Sequence, residues 1–310
     1  MNILITGVHG FVGSNLVDYL KGDNQIFGLD IVAPQRNGVV RTFSWEEMDA
    51  GRLPKVEVVI HLAGKAHDTK NKAASDVYFS VNTGLTQRIY DYFLSSEAKK
   101  FIFFSTAKAA ADKVDGILTE DVIPVPVGPY GESKIKAENY IFSKQLQKGK
   151  SVYVLRPCMI HGPGNKGNLN LLFSVISRGY PWPLGAYDNY RTFASVENVC
   201  FVVKGLITCD IESGIYNVGD DEPLSTNELI GIICHTLGLK CRIWKVPKWM
   251  VIFCARIGGW LHLPLNPDRL RKLTENYVAS NEKIKKSLGV NQMPVTSRDG
   301  LIRTIESFRK

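Results

Sequence analysis

The first half of the chain alternates between two hydrophobic periods. Short runs of strand length, apolar on both faces, recur at Met1–Thr6, Gln25–Leu29, Val56–Leu62, Phe101–Phe104 and Val152–Pro157. Between them lie stretches whose apolar positions repeat with helical spacing: Leu16, Val17 and Leu20; Leu85, Ile89 and Phe93; Ile135, Ala137 and Ile141. Strands buried on both faces and alternating with helices predict a parallel sheet covered by helices, an α/β fold of the Rossmann-type doubly wound kind. Beyond about residue 165 the rhythm loosens. A helix is expected over Asn168–Arg178, a turn-rich loop at Pro181–Gly185 and an extended segment at Arg191–Val196. A helix should then run from Glu197 to about Ile207, followed by a strand at Ile215–Gly219. Ser225 and Glu228 have capping-box spacing for a further helix. Trp249–Leu263 is a short apolar helix with one basic residue, Arg256, between its ends, and is expected to pack against the domain rather than rest on a membrane. There is no repeat, low-complexity tract or clean linker. The expected organisation is a dinucleotide-binding domain over 1–165, rejoined by about 191–220, and a smaller interleaved C-terminal lobe over 166–310.

The first strand runs into Gly7-Val8-His9-Gly10-Phe11-Val12-Gly13 and then a helix. Strand, glycine turn and helix form the geometry that cradles a dinucleotide pyrophosphate, with free N–H groups and a positive dipole end facing the anion. Gly7 allows the sharp turn, Gly10 the close approach of the phosphates, and Gly13 tight packing of helix on strand. An acid, Asp30, ends the next apolar run 17 positions after Gly13. A carboxylate there bonds the adenosine ribose hydroxyls and repels a 2′-phosphate, so NAD is expected rather than NADP. Arg36 and Arg41 are read as surface charges. Ala63 and Gly64, small residues after the strand ending in His61-Leu62, let a flat adenosine–ribose unit pass over the sheet edge. Asn82 begins the next helical pattern, as a cap, a loop bond or a cofactor contact.

Ser105-Thr106 follows the Phe101–Phe104 strand, placing two hydroxyls where ligands of parallel sheets sit. A long polar loop leads to Tyr130-Gly131-Glu132-Ser133-Lys134 at the start of a helix. Tyr130 and Lys134 are four apart, one turn along the same face. A phenol has an ordinary pKa near 10, and a neighbouring ammonium plus a cationic nicotinamide favours phenolate, giving a tuned acid/base for a carbinol proton. His161, with no acid or histidine near it in sequence, is read as loop packing.

Composition is that of a soluble globular protein: 310 residues, 45% hydrophobic. No basic segment leads into an apolar one at the N-terminus and no apolar run reaches the roughly 18 residues of a spanning helix, so a cytoplasmic protein without an integral membrane segment is expected. Six cysteines lack zinc spacing and are expected as reduced thiols, with no metal site. The formal net charge of +8 is read as spread along the chain and dense over the last forty positions, without the aromatic interleaving of a nucleic-acid binder.

Taken in order, Thr6–Gly13, Asp30, His61-Leu62-Ala63-Gly64, Ser105-Thr106, Tyr130 to Lys134, Leu155-Arg156-Pro157 with Gly162-Pro163-Gly164, Arg191 to Val199 and Asn217-Val218-Gly219 resemble the extended short-chain dehydrogenase/reductase family, in its nucleotide-sugar epimerase/dehydratase branch. The resemblance covers nearly the whole chain. It implies an NAD site made by Gly7, His9, Gly10, Phe11, Val12, Gly13, Asp30, Ile31, Leu62, Ala63, Gly64, Asn82, Tyr130, Lys134 and Pro157. It implies catalysis by Thr106 (with Ser105 the second choice), Tyr130 and Lys134, with a UDP-sugar held by Thr106, Tyr130, Asn168 and Arg191. It also implies a homodimer built on the helices after Asn82 and from Tyr130. Sugar 4,6-dehydratases of the family carry Asp-Glu after the catalytic Thr; here Ala107-Lys108 follow, which argues against dehydration. Two readings remain: a 4-epimerase serving surface polysaccharide synthesis, and a reductase of UDP-4-keto-6-deoxy-N-acetylhexosamines.

Overall fold

A computed structural model describes residues 1–65, 74–113, 115–165, 167–261 and 266–309. The first part runs β1 (Asn2–Thr6), α1 (Phe11–Leu20), β2 (Gln25–Leu29), β3 (Val39–Phe43), α2 (Trp45–Asp49), β4 (Val58–His61), α3 (Ser75–Tyr78), a π-helical turn (Phe79–Gly84), α4 (Leu85–Ser95) and β5 (Lys100–Phe104). A 3-10 turn (Ala107–Ala109), β6 (Ile117–Leu118), α5 (Pro129–Ser143), β7 (Ser151–Pro157) and β8 (Met159–His161) follow. The rest comprises α6 (Asn168–Ser177), β9 (Tyr190–Arg191), β10 (Phe193–Ser195), α7 (Val196–Thr208), β11 (Gly214–Val218), β12 (Leu224–Ser225), α8 (Thr226–Leu237), α9 (Lys248–Trp260), α10 (Pro267–Thr274), β13 (Val278–Ala279), α11 (Glu282–Leu288) and α12 (Ser297–Ser307).

Seven strands form one sheet in the order β11-β7-β5-β4-β1-β2-β3, every pair parallel. The chain winds outward from β1 through β2 to β3, then restarts at β4 on the other side. The carboxyl ends of β1 and β4 therefore flank the point of reversal, where such sheets bind ligands. Thr6 lies opposite both Leu29 and His61 there.

Successive residues of each strand feed opposite layers, as the two-residue period requires. Ile3, Ile5, Ile102 and Leu155 pack with Leu16 and Val17 of α1 and Val199 and Val203 of α7. Leu4, Phe101, Phe103 and Val154 pack with Ile89 and Phe93 of α4 and Ile141 of α5. A third core joins Leu169, Trp182, Ile230, Ile233, Leu301 and Ile305. The later chain is divided between these layers: α7, β11 and Ile284 of α11 pack on the main sheet, while α6, α8, α9 and α12 build the third core.

Two expectations are corrected. The extended segment at Arg191–Val196 splits into β9, antiparallel to β12, and β10, parallel to β8. His161 ends β8 instead of lying in a loop. Helix α9 packs against the lobe as expected, through a single stripe of Val251, Ala255 and Gly258, while residues 262 and 263 of the expected helix lie outside the described residues.

Candidate functional site

The glycine turn lies at the reversal point. Gly7 has a left-handed φ of +68°, and a Cβ there would stand 2.9 Å from the Ala63 nitrogen, so the loops after β1 and β4 touch through it. A Cβ on Gly13 would meet the Gly7 carbonyl and come within 2.8 Å of the Val8 oxygen. Gly10 is the N-cap of α1 and supplies no side-chain cap, which leaves first-turn N–H groups for an anion. Asp30 accepts from the backbone N–H of His9 at 3.1 Å and of Ile31 at 2.7 Å. Ile31 itself is exposed. Arg36 is bonded to the Ser14 carbonyl and Asp18, and Arg41 to Glu47. Both guanidiniums therefore have partners other than a 2′-phosphate.

A buried relay ties β4 to the π turn. Thr6 Oγ1 accepts from the N–H groups of Leu62 and Ala63, at 3.2 and 3.0 Å. Its own proton then goes to His61 Nδ1, 2.7 Å away. His61 Nε2 donates to Thr86, whose hydroxyl donates to the Asn82 carbonyl. Burial, and then the Lys134 charge, hold the His61 pKa well below its ordinary value, so the ring is neutral as the relay demands. Asn82 sits in the π turn, a form concentrated at functional sites. Its side chain bonds both backbone groups of Lys65 and the Ser133 hydroxyl. A Cβ on Gly64 would stand 2.9 Å from Asn82 Oδ1 and 3.3 Å from Lys134 Nζ. Gly64, Asn82 and Lys134 thus share one spot.

Helix α5 carries the chemistry. It opens at Gly128, with φ +85°, and has Pro129 in its first turn. Tyr130, Lys134 and Glu138 follow at four-residue intervals along one face. The Tyr130 hydroxyl is hydrogen-bonded to the Thr106 side chain. The Tyr78 ring stands edge-on to it, with centroids 6.3 Å apart. Lys134 Nζ donates to the Phe104 carbonyl at 2.8 Å and lies 4.9 Å from the Phe103 ring centroid. Burial lowers the Lys134 pKa to about 8, with Glu138 pulling it back up. Burial raises the Tyr130 pKa, and the Thr106 hydrogen bond opposes that rise. The expected depression of the phenol is therefore not produced by Lys134 within the polypeptide; desolvation is the larger effect.

Ser105 and Thr106 are divided in role. Ser105 Oγ donates to Glu138, which is also held by Arg156 through Nε at 3.1 Å and Nη2 at 2.6 Å. Glu138 and Arg156 are both fully buried. Only Thr106, of the pair, meets Tyr130. Pro157 ends β7, and the next residue, Cys158, is buried with its thiol pushed up to about 12. All six cysteines are free, and among the described residues no cluster of His, Cys, Asp or Glu is placed for a metal.

Of the two lobe residues, Arg191 has partners of its own. Arg191 donates to the carbonyls of Lys272 and Glu275, behind α10, and burial lowers its pKa. Asn168 begins α6, and its side chain is outside the described residues. His161 does have an acid partner: Nε2 lies 3.3 Å from Asp220, and Nδ1 2.9 Å from Thr304. Asp220 also accepts from the Ser195 N–H and the Asn198 amide. This buried knot joins β8, β10 and α12; 59 positions separate the pair in sequence, so local reading missed it. The Glu138–Arg156 pair was missed too, although Glu138 continues the Tyr130–Lys134 spacing.

With the fold and these residues in place, the class of protein is defined. Residues 3–219 match the NAD dependent epimerase/dehydratase family, and the chain belongs to that family. NAD is its cofactor, and the glycine cradle, the uncapped α1 terminus and Asp30 fit it. Among individual relatives, the chain is 29% identical to a UDP-glucose 4-epimerase of Vibrio cholerae, over 99% of this chain and 95% of that one. It is 25% identical to the N-acetyl-alpha-D-glucosaminyl-diphospho-ditrans,octacis-undecaprenol 4-epimerase of Escherichia coli O157:H7, over 98% and 94%. In fold it resembles the UDP-glucose 4-epimerase of Thermotoga maritima with UDP-glucose, at a TM-score of 0.77 and 24% identity, covering 100% of this chain and 99% of that one.

Proposed function

We propose that the chain is an NAD-dependent 4-epimerase of a UDP-hexose or UDP-N-acetylhexosamine. The observation that carries this is the Thr106–Tyr130 hydrogen bond, one helical turn from buried Lys134 and beside a dinucleotide cradle. NAD, when bound, supplies an acceptor and donor of hydride at C4 of the sugar. Tyr130 takes the C4 hydroxyl proton and later returns it, with Thr106 hydrogen-bonded to the same oxygen. Lys134 holds the nicotinamide ribose and, as an ammonium, favours the phenolate. Gly7, His9, Gly10, Phe11, Val12 and Gly13 hold the pyrophosphate. Asp30 and Ile31 hold the adenosine end, Leu62, Ala63, Gly64 and Asn82 line the path between, and Pro157 lies beside the nicotinamide. Arg191 and Asn168 hold the UDP portion, Arg191 turning from the Lys272 and Glu275 carbonyls to phosphate oxygens, for which its planar fork is suited. The family's acid pair is replaced by Ala107 and Lys108, and Lys108 is paired with Asp112 at 2.5 Å. No carboxylate beside Thr106 is then placed to expel a hydroxyl, which favours epimerisation over dehydration. The enzyme works in the cytoplasm as a homodimer paired through α4 and α5, and serves surface polysaccharide synthesis.

The test is to denature the purified protein and identify the nucleotide released. Near-stoichiometric NAD⁺ is expected, with interconversion of C4 epimers when UDP-glucose and UDP-N-acetylglucosamine are supplied. Tyr130→Phe should keep the nucleotide and lose about 10²–10⁴ of turnover. A protein that releases nothing, takes up reduced nicotinamide on addition and consumes it with a UDP-4-keto-6-deoxy sugar is instead the reductase.

A further inference from the structure

Helix α9 presents an apolar face that the fold leaves uncovered. Its buried residues, Val251, Ala255 and Gly258, lie on one side. At 3.6 residues per turn, Trp249, Phe253 and Trp260 point about 180° away from them. These three are 70%, 59% and 80% exposed, with Ile252 and Ile257 on the flanks at 42% and 40%. Trp244, just before the helix, is 57% exposed. Three of the chain's five tryptophans therefore stand in solvent on one short segment, while Trp45 and Trp182 are buried. Aromatic side chains of this kind favour the boundary between lipid and water.

The charge around the helix is predominantly positive. No Asp or Glu occurs from Leu229 to Pro267. Residues 240–275 hold eight of the 38 Lys and Arg and two of the 30 Asp and Glu, a local net charge of +6, so a dense basic stretch also lies ahead of the last forty positions. Lys245, Lys248, Arg256 and Lys272 are all exposed. Arg256 falls within the aromatic stripe, and its long stem allows the guanidinium to reach outward from an apolar contact. No helix among the described residues is long and apolar enough to cross a membrane. An apolar stripe of three turns with a basic surround suits a helix lying in the plane of an anionic surface.

We propose that α9 docks the protein on an anionic lipid bilayer, with Trp249, Phe253 and Trp260 entering the headgroup boundary and the surrounding lysines and arginines meeting lipid phosphates. A protein partner fits less well, because the surface combines exposed aromatic residues with a net charge of +6 over residues 240–275, and Glu275 is already paired with Arg271.

Vesicle flotation tests this with the intact protein. It should float with vesicles of equimolar phosphatidylcholine and phosphatidylglycerol, and bind pure phosphatidylcholine about tenfold more weakly. Raising salt to about 0.5 M should reduce the binding. Brominated lipid should quench its fluorescence, since the exposed tryptophans lie on this face. The triple variant Trp249→Ser/Phe253→Ser/Trp260→Ser should lose at least about tenfold in partitioning while keeping the wild-type unfolding midpoint and circular dichroism. Lys245→Glu/Lys248→Glu should weaken binding to anionic vesicles only. The proposal is overturned if the wild type does not float on anionic vesicles, or if the triple variant floats equally well. It is also overturned if the wild type ignores vesicles and the triple variant halves the mass seen by light scattering, which would place a second copy on the face.

Discussion

Replacing Glu138 separates the electrostatic support of Lys134 from ordinary packing. Glu138 and Arg156 are each 1% exposed and joined at 2.6 Å. Arg156 Nη1 has no hydrogen-bond partner, so Glu138 is its anchor. In Glu138→Leu the guanidinium remains charged and buried without an anion, which costs about 3–5 kcal/mol. For a chain of this size that corresponds to a fall of about 5–10 °C in unfolding midpoint. Adding Arg156→Met should recover most of the loss, because two apolar groups of similar volume replace a pair whose desolvation nearly cancels its attraction. Glu138→Gln carries the functional readout. Glu138 raises the Lys134 pKa, which burial has brought down to about 8. If turnover needs the ammonium, wild-type kcat/KM falls on the alkaline side near pH 8, and the limb moves to lower pH in Glu138→Gln. Denaturant unfolding gives the stability cycle, and a pH profile of kcat/KM gives the limb. A single-variant cost under about 1 kcal/mol, a double variant no more stable than Glu138→Leu, or an unmoved limb would each refute the reasoning.

Thr106→Val should cut kcat by about 10–10² with little change in unfolding midpoint, whereas Ser105→Ala should cost about 1–2 kcal/mol of stability and leave kcat within a few-fold; steady-state rates and melting curves on both variants decide the assignment. Gly13→Ala places a Cβ within 2.8 Å of the Val8 oxygen and should abolish NAD retention, read as the absorbance of nucleotide released on denaturation. Asp30→Ala should weaken NAD binding by at least about 1 kcal/mol and narrow its advantage over NADP, measured by titration calorimetry with each. Lys134→Met reports the burial cost directly. The lysine is charged in both folded and unfolded chains below pH 8, and between about 8 and 10.5 the folded chain releases the proton first. Wild-type stability should therefore rise relative to the variant across that window, and a difference that is flat with pH there would count against a depressed pKa.

What was legible in the sequence is what local spacing encodes. The strand–glycine–helix turn, Asp30 and the Tyr130–Lys134 interval each lie within a stretch whose geometry follows from one element. The parallel sheet was readable because its strands are apolar on both faces. What escaped depends on residues brought together by the fold. Arg156 reaches Glu138 from a neighbouring strand, and Asp220 reaches His161 across 59 positions. Asn82 was legible as a polar residue near a helix start, but not its place in a π turn bonding Lys65 and Ser133. Helix α9 packs against the lobe as its sequence suggested, but apolar content alone did not say which face is covered; three of its residues are buried.

The helix α5 face shows why adjacent hydroxyls after β5 have different tasks. Going inward, it presents a phenol at Tyr130, an ammonium at Lys134 and a carboxylate at Glu138, closed by the Arg156 guanidinium. A lysine buried this deeply tends to lose its proton, and Glu138 opposes that loss. Glu138 is buried away from water, and Arg156 together with the Ser105 hydroxyl supplies its hydrogen-bond partners. Consecutive residues of extended backbone point to opposite sides. Ser105 therefore serves the buried carboxylate, while Thr106, with φ −161° and ψ 150°, serves the phenol at the rim. Exchanging their side-chain roles would require turning the strand over, so the division of labour is fixed by the backbone before any substrate arrives.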